Sequence, residues 1–362
     1  MRKTILFKHK AIAGMALCIG LTSASLSAIA SNATASDAET NKAMHSSQTS
    51  SPKSAEHAKK LDQFVQKMVK KHQFEADYIQ GFLKDAQPNQ QILDAISRPW
   101  EAKPWHQYYP IFLTEKRITK GVKFWEEHKG TLQKAEKELG IPAEIIVAII
   151  GVETYYGGYK GKYSVLDALY TLGFHYPPRA KFFSKELEEF FVLTRDEKLN
   201  LTELKGSYAG AMGWGQFISS SYRNYAIDFD GDGVRDLLNN PVDAIGSVAN
   251  YFKRHGWKTG EDVAYPAQVN GDDLSSLVSK DLKYKHSWQD IENKGVRLFT
   301  QHKHKVKADT NAKLLEFEQK DSKEYWVGLH NFYVITRYNH SPLYAMAVYQ
   351  LSQEIKSRKL QS

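Results

Sequence analysis

The chain has 362 residues, 42% hydrophobic, 25% charged and 12% aromatic, which excludes fibrous and wholly disordered classes and leaves room for one large domain or two to three modest ones. A single cysteine excludes a disulfide scaffold and a cysteine-built zinc site, so any chemistry must come from oxygen and nitrogen side chains. The net charge of +8 falls to +4 once Arg2, Lys3, Lys8 and Lys10 are set aside; an anionic polymer is a compatible partner, and specific nucleic-acid binding is not expected.

Residues 1–30 read as a signal peptide, with a basic start (MRKTILFKHK), an apolar stretch (AIAGMALCIGLTS) and small residues at Ala28 and Ala30 that suit cleavage before Ser31. An uncleaved anchor is the alternative, although serines and threonines make the stretch a poor hydrocarbon span. A lipid on Cys18 is the third option, opposed by bulky Leu17 before it and by its place inside the apolar stretch. Cleavage would remove Cys18 and leave a thiol-free chain suited to an oxidising envelope compartment. Residues 31–57, rich in Ser and Thr and almost without large apolar side chains, read as a disordered tether.

Order is expected from Ala58, where Leu61, Phe64, Val65, Met68 and Val69 recur at helical spacing, followed by helices over 74–83 and 90–97. The Pro99-Trp100 and Pro104-Trp105 pairs read as turns that brace a core or line a cleft. One long helix is predicted over 121–140, closed by Gly140, and Pro142 then opens AEIIVAIIGVETYYG, apolar nearly all round and so a buried central helix. Further helices are predicted over 165–170, 179–195, 210–224, 241–255 and 342–358, with short strands over 312–317, 325–328 and 332–336. The chain is thus mainly α with a small β-containing segment. Its expected divisions are 58–140 (helical, accessory), 141–260 (core), 261–336 (accessory, with the strands) and 337–362 (a helix returning to the core).

Glu153 shares a helix face with Ile145 and Ile149, and Gly151, Gly157 and Gly158 leave space for a ligand beside it. A carboxyl among apolar side chains loses hydration of its charged form, which raises its pKa toward the range of a general acid. A structural carboxylate, capping backbone or paired with Arg179 or Arg223, is the competing reading. Tyr155, Tyr156, Tyr159, Tyr163, Trp214 and Tyr225 favour a sugar cleft. The GSYAGAMGWGQF patch at 206–217 lets backbone approach a ligand closely, with Ser207 and Gln216 as neutral hydrogen-bonding groups and Tyr208, Trp214 and Phe217 as flat faces. It lacks the Gly-Lys-Ser/Thr ending of a phosphate loop. Close helix packing through small residues is the plainer alternative.

IIGVETYYG, the 166–183 run with YPPRAKFF, GSYAGAMGWGQF, PVDAIGSVANYFKRHGW and NFYVITRYNHSPLYAMAVYQL together resemble the periplasmic lytic murein transglycosylases of the B type, over residues 61–351. The resemblance implies a lysozyme-like α-domain with an accessory helical domain, a peptidoglycan-strand cleft and one catalytic Glu at Glu153. It implies that Ser207 and Gln216 line sugar subsites, that Tyr338 and Asn339 border the reaction centre, and that Arg179, Tyr344, Tyr208, Phe217 and Tyr108 contact the glycan or its peptide. Pro178 stands where relatives tend to carry a second arginine, and Ile218-Ser219 replaces Met-Pro. A periplasmic address, with association to the outer membrane in some members, follows from the same resemblance, as do cell-wall synthetic or amidase partners.

DFDGDGVRD reads as a cation loop. With Asp228 as position one, Asp230 and Asp232 follow at three and five, Gly233 supplies the sharp turn at six, the Val234 carbonyl lies at seven and Asp236 at nine. Asn239 stands where an EF-hand has its bidentate Glu, and the resemblance offers Asp243 as the closing carboxylate. Structural Ca²⁺ is the expected ion, since hard cations take oxygen ligands. The basic run HKHKVK at 302–307 reads as a solvated face. The expected reaction is cleavage of the β-1,4 bond between N-acetylmuramic acid and N-acetylglucosamine without water, giving 1,6-anhydromuramyl ends. A hydrolytic muramidase and a non-catalytic wall-binding protein are the alternatives.

Overall fold

A computed structural model describes residues 52–84, 86–98, 103–270, 274–278, 281–302 and 306–361. The expected signal peptide, most of the tether, the first Pro-Trp pair and residues 303–305 of the basic run lie outside them. The described residues form two compact units divided after Ala86. The first holds α1 (Pro52–His72) and α2 (Ala76–Leu83), with Phe64, Val65, Met68, Ile79 and Leu83 buried. Helix α1 opens at Pro52, inside the stretch read as tether, because proline suits a first helical turn where the N–H has no partner.

The second unit continues with α3 (Gln90–Ile96), α4 (Trp105–Tyr108), α5 (Glu115–Glu127), α6 (Lys129–Leu139), α7 (Ala143–Thr154), β1 (Tyr163–Ser164), α8 (Val165–His175), α9 (Ala180–Asp196), β2 (Lys205–Gly206), α10 (Ser219–Tyr225) and α11 (Pro241–Arg254). After these come β3 (Ala264–Val269), β4 (His286–Ser287), α12 (Trp288–Asn293), β5 (Val296–Leu298), β6 (Asn311–Glu318), β7 (Lys323–Gly328), α13 (His330–Ile335) and α14 (Pro342–Gln361). All twelve residues of α7 are buried, as an all-round apolar helix requires, and α14, α5, α6 and α11 pack around it. The mainly α, lysozyme-like class with a small β segment holds.

Three predicted elements differ. The stretch 121–140 is two helices meeting at His128, and the first begins at Glu115, where the Thr114 hydroxyl accepts the Arg117 N–H as an N-cap. The glycine patch is loop: Gly210, Gly213 and Gln216 have φ of 75°, 70° and 50°, and a helix cannot contain left-handed residues. Residues 332–336, rich in β-branched and aromatic side chains, form the end of α13 with Thr336 as its C-cap, because burying Phe332, Val334 and Ile335 in the core outweighs strand propensity.

The β segment is larger than predicted. Five antiparallel strands run in the order β4-β6-β7-β3-β5, with Leu314 opposite Val327 and Tyr265 opposite Val327. Leu314, Val327, Tyr265, Val296, Trp288 and Ile291 share a second apolar core under this sheet. The short ladder β1-β2 pairs Tyr163 with Gly206 and so ties the entry of the glycine loop to the start of α8.

Candidate active site

Helix α7 ends at Thr154 because Tyr155, Tyr156 and Gly157 are all left-handed, with φ of 53°, 58° and 72°. The Tyr156 N–H closes onto the Ile150 carbonyl and its hydroxyl donates to the Arg117 carbonyl at 3.0 Å. A Cβ at Gly151 would lie 2.5 Å from that hydroxyl, so glycine is required for the tyrosine to lie against the helix. This turn fixes the last helical residues, Glu153 and Thr154.

Glu153 is 4% exposed, and the Tyr344 hydroxyl in the first turn of α14 donates to its Oε1 at 2.5 Å. Tyr344 is fully buried, and its N–H donates to the Ser341 hydroxyl, which caps the helix that carries it. Tyr338 donates to the Gly215 carbonyl at 2.6 Å. Burial, then the nearby charge of Glu153, push the Tyr338 phenol well above its usual value, so it stays a neutral donor. Asn339 follows it, also buried. The chain end thus closes one side of the carboxyl.

The glycine loop closes another side. Met212 and Phe217 exchange backbone hydrogen bonds at 2.9 Å, making a tight turn of Gly213, Trp214, Gly215 and Gln216. The Thr154 hydroxyl donates to the Trp214 carbonyl at 2.9 Å, joining the residue after Glu153 to this turn. Trp214 lies flat on Gly157, where a Cβ would sit 2.4 Å from the ring. The Gln216 amide donates to the Lys160 and Gly213 carbonyls, both at 3.2 Å, which leaves its buried Oε1 with no partner among the described residues. A left-handed, non-glycine backbone costs roughly 1–2 kcal/mol, and an unmet buried acceptor adds to it. Both features suit a group held ready for a ligand's N–H or O–H. The buried Trp214 Nε1 likewise has no acceptor among the described residues.

Ser207 is buried and accepts the Ala211 N–H at 2.9 Å, so it shapes the loop. Arg179 lies over the Phe182 and Phe183 rings at 4.2 and 5.2 Å; burial lowers its pKa, while Tyr176, Glu186 and Tyr208 oppose that shift. Tyr208 is half-buried in the same patch. Phe217 is buried edge-on to Tyr338 and Tyr251, both at 5.9 Å. Tyr108 has no exposed surface and packs with Trp105 and Phe112. Thr154 and Lys160 were missed in the sequence. Thr154's position next to the candidate acid was the available signal; nothing marked Lys160.

The acidic loop joins α10 to α11. One carboxylate oxygen each from Asp228, Asp230 and Asp232 lie within 4.8 Å of one another, about the greatest separation of two ligands that each lie about 2.4 Å from Ca²⁺. Asp228 accepts the Gly231 and Gly233 N–H groups at 2.6 and 2.8 Å, and both glycines have positive φ. Asp243 is fully buried and spends both oxygens on the loop backbone, accepting the Phe229 N–H at 2.7 Å and the Asp236 N–H at 2.8 Å. Burial raises its pKa, the two N–H groups oppose this, and Asp230 and Asp228 add to it. Asp243 thereby ties the loop backbone at Phe229 and Asp236 to the first turn of α11, beside the cluster of Asp228, Asp230 and Asp232. Val234 is exposed, and its N–H donates to Asp232.

The family model described as Transglycosylase SLT domain matches residues 56–353. The membrane-bound lytic murein transglycosylase B of Escherichia coli K12 is 43% identical over 309 residues, covering 83% of each chain. The crystal structure of the lytic transglycosylase SltB1 from Pseudomonas aeruginosa is 49% identical with a TM-score of 0.78, over 83% of this chain and 98% of that one. The Escherichia coli lytic transglycosylase Slt35, solved in complex with calcium, is 44% identical with a TM-score of 0.74, over 83% and 94%. Among the described residues no helix is long and apolar enough to cross a membrane. With a buried glutamate closed in by two tyrosines and a glycine-rich turn, and with relatives this similar along most of its length, the chain belongs to the transglycosylase SLT domain family as a lytic murein transglycosylase.

Proposed function

We propose that Glu153 carries both proton transfers of the reaction. As a lytic transglycosylase the chain cleaves the bond between N-acetylmuramic acid and N-acetylglucosamine in peptidoglycan and leaves 1,6-anhydromuramyl ends. In the first step the Glu153 proton passes to the glycosidic oxygen, the C1–O4 bond breaks, and the sugar's own acetamido oxygen stabilises the charge developing at C1. In the second the C6 hydroxyl attacks C1, and its proton returns to the Glu153 carboxylate. No water is consumed, so one carboxyl serves where most glycosidases use two. The observation that carries this reading is the buried Glu153 with the Tyr344 hydroxyl on Oε1, a donor placed to stabilise the carboxylate each time the proton leaves. Of the other acids that could have approached Glu153, Asp228 accepts the Gly231 and Gly233 N–H groups in the cation loop, and Asp167 lies in the first turn of α8 with its N–H on the Ser164 hydroxyl, which supports a single-carboxyl reading. Gln216 Oε1 and Trp214 Nε1 would orient sugar amides and hydroxyls, with Arg179 and Tyr208 further along the strand.

The loop acids Asp228, Asp230 and Asp232, with the Val234 carbonyl and Asp243 as the closing carboxylate, are the groups that would hold Ca²⁺, and the ion would neutralise their mutual repulsion and brace the connection from α10 to α11. It takes no part in the chemistry. The export pattern at residues 1–30 supports a periplasmic address, and association with the outer membrane would bring the cleft to the sacculus. Synthetic or amidase enzymes are the partners this chemistry calls for.

Glu153→Gln tests the assignment. Turnover of purified peptidoglycan should vanish while glycan binding survives, and wild-type products should be lighter by one water than those of a hydrolytic muramidase. Hydrated reducing ends from the wild type, or a fully active variant, would overturn it.

A further inference from the structure

Outside the cleft, a cavity of about 730 Å³ opens between the segment before β4 and the turn after α13, lined by Asp281, Lys283, Tyr284, Lys285, Tyr333, Arg337 and His340 among others. Its permanent charges are three cations, Lys283, Lys285 and Arg337, against the single carboxylate of Asp281. That carboxylate is already engaged by Lys285 at 2.7 Å and approached by buried Lys313 at 4.0 Å. The cationic excess is therefore left to Lys283 and Arg337, with His340 at 3.0 Å from the guanidinium.

The half-buried Tyr284 donates its hydroxyl to the Leu329 carbonyl at 2.7 Å and stands edge-on to Tyr333, tying the segment that carries both lysines to the start of α13. His286 and Ser287 continue that segment into a ladder with Ala312 and Asn311. On the opposite wall the Tyr251 hydroxyl donates to the Arg337 carbonyl at 2.5 Å, and the Arg337 guanidinium lies over the Tyr333 ring at 5.9 Å. Arg337 and His340 flank Tyr338 and Asn339, whose side chains are buried, Tyr338 within reach of the Glu153 charge. Along the chain, two residues that line this cavity are thus immediate neighbours of two that border the reaction centre.

We propose that this cavity binds the free carboxylates of the peptide stems carried by the muramyl residues of a strand in the cleft. The proposal rests on the reading of the cleft as a glycan site. Separated cations with tyrosine faces between them match carboxylates spaced along a peptide that has short aliphatic side chains; a compact phosphate would call instead for converging donors. Exposed lysines contribute modestly each, and their effect is screened by salt.

The test uses the double variant Lys283→Gln, Arg337→Gln in the full chain, assayed on peptide-bearing strands and on the same strands stripped of peptide. KM for peptide-bearing strands should rise about tenfold with kcat unchanged, naked strands should be processed as by the wild type, and raised salt should erase the difference. Calorimetric titration of an isolated stem peptide with at least two free carboxylates should show binding to the wild type and none to the variant. Equal effects on both strand types, no effect on either, or binding of inorganic phosphate without binding of the peptide would overturn the proposal. If the wild type turned over neither strand, the catalytic reading would fall, and the peptide titration would still decide the cavity.

Discussion

Tyr344→Phe removes one buried hydroxyl and nothing else, because the phenyl ring keeps its place in the core beside Glu153. A hydrogen bond to a charged acceptor contributes about 1.5–3 kcal/mol and one to a neutral acceptor about 0.5–1.5. The hydroxyl touches Oε1 in both protonation states, so what the transition state loses is the difference, roughly 1–1.5 kcal/mol as the proton departs. That corresponds to a fall of about five- to fifteenfold in kcat/KM. Since the hydroxyl favours the charged carboxylate, its removal should also move the alkaline limb of the kcat/KM profile to higher pH. The assay is release of 1,6-anhydromuropeptides from peptidoglycan across pH, beside a melting curve to establish that the variant is folded. A folded variant with wild-type kcat/KM and an unmoved limb would refute the role given to Tyr344.

Excess Ca²⁺ at 100 times its Kd should add about 2.7 kcal/mol to stability, raising Tm, and Asp228→Asn should abolish that response; equal melting of metal-stripped and Ca²⁺-loaded protein would remove the loop's cation role. Gly213→Ala places a Cβ 2.2 Å from the Leu237 carbonyl at a φ of 70°, so a loss on the order of 3 kcal/mol or more is expected in denaturant melts, together with loss of turnover. His255 lies 4.0 Å from the Tyr251 ring, and its pKa is lowered from 6.5 chiefly by burial, helped by Arg337, His340 and Arg254 and opposed by its bond to the Tyr251 carbonyl. The unfolded chain then binds more protons than the fold just below pH 6.5, so stability should decline as pH falls through 6.5 toward the lower folded value, and His255→Phe should flatten that slope in pH-dependent melts.

Features built from neighbouring residues are legible in the chain. The apolar run ending in Glu153 reads as a buried helix because twelve consecutive positions leave no polar face, and the Asp-x-Asp-x-Asp spacing reads as a cation loop because alternate residues can turn their carboxylates to one side. Which atoms meet across the chain is set by packing, even where the resemblance already pointed to the residues. Tyr344 reaches Glu153 across 191 residues and Tyr338 reaches Gly215 across 123, because α14 packs along α7, a contact that no local periodicity encodes. The same holds for Asp243, whose two oxygens accept the Phe229 and Asp236 N–H groups from the other end of the loop once its helix is packed. The glycine patch shows the limit from the other side. Small residues are compatible with both a close-packed helix and a left-handed turn, and the choice fell to the turn because the Trp214 carbonyl and the Gln216 amide find partners at Thr154 and Lys160 only there.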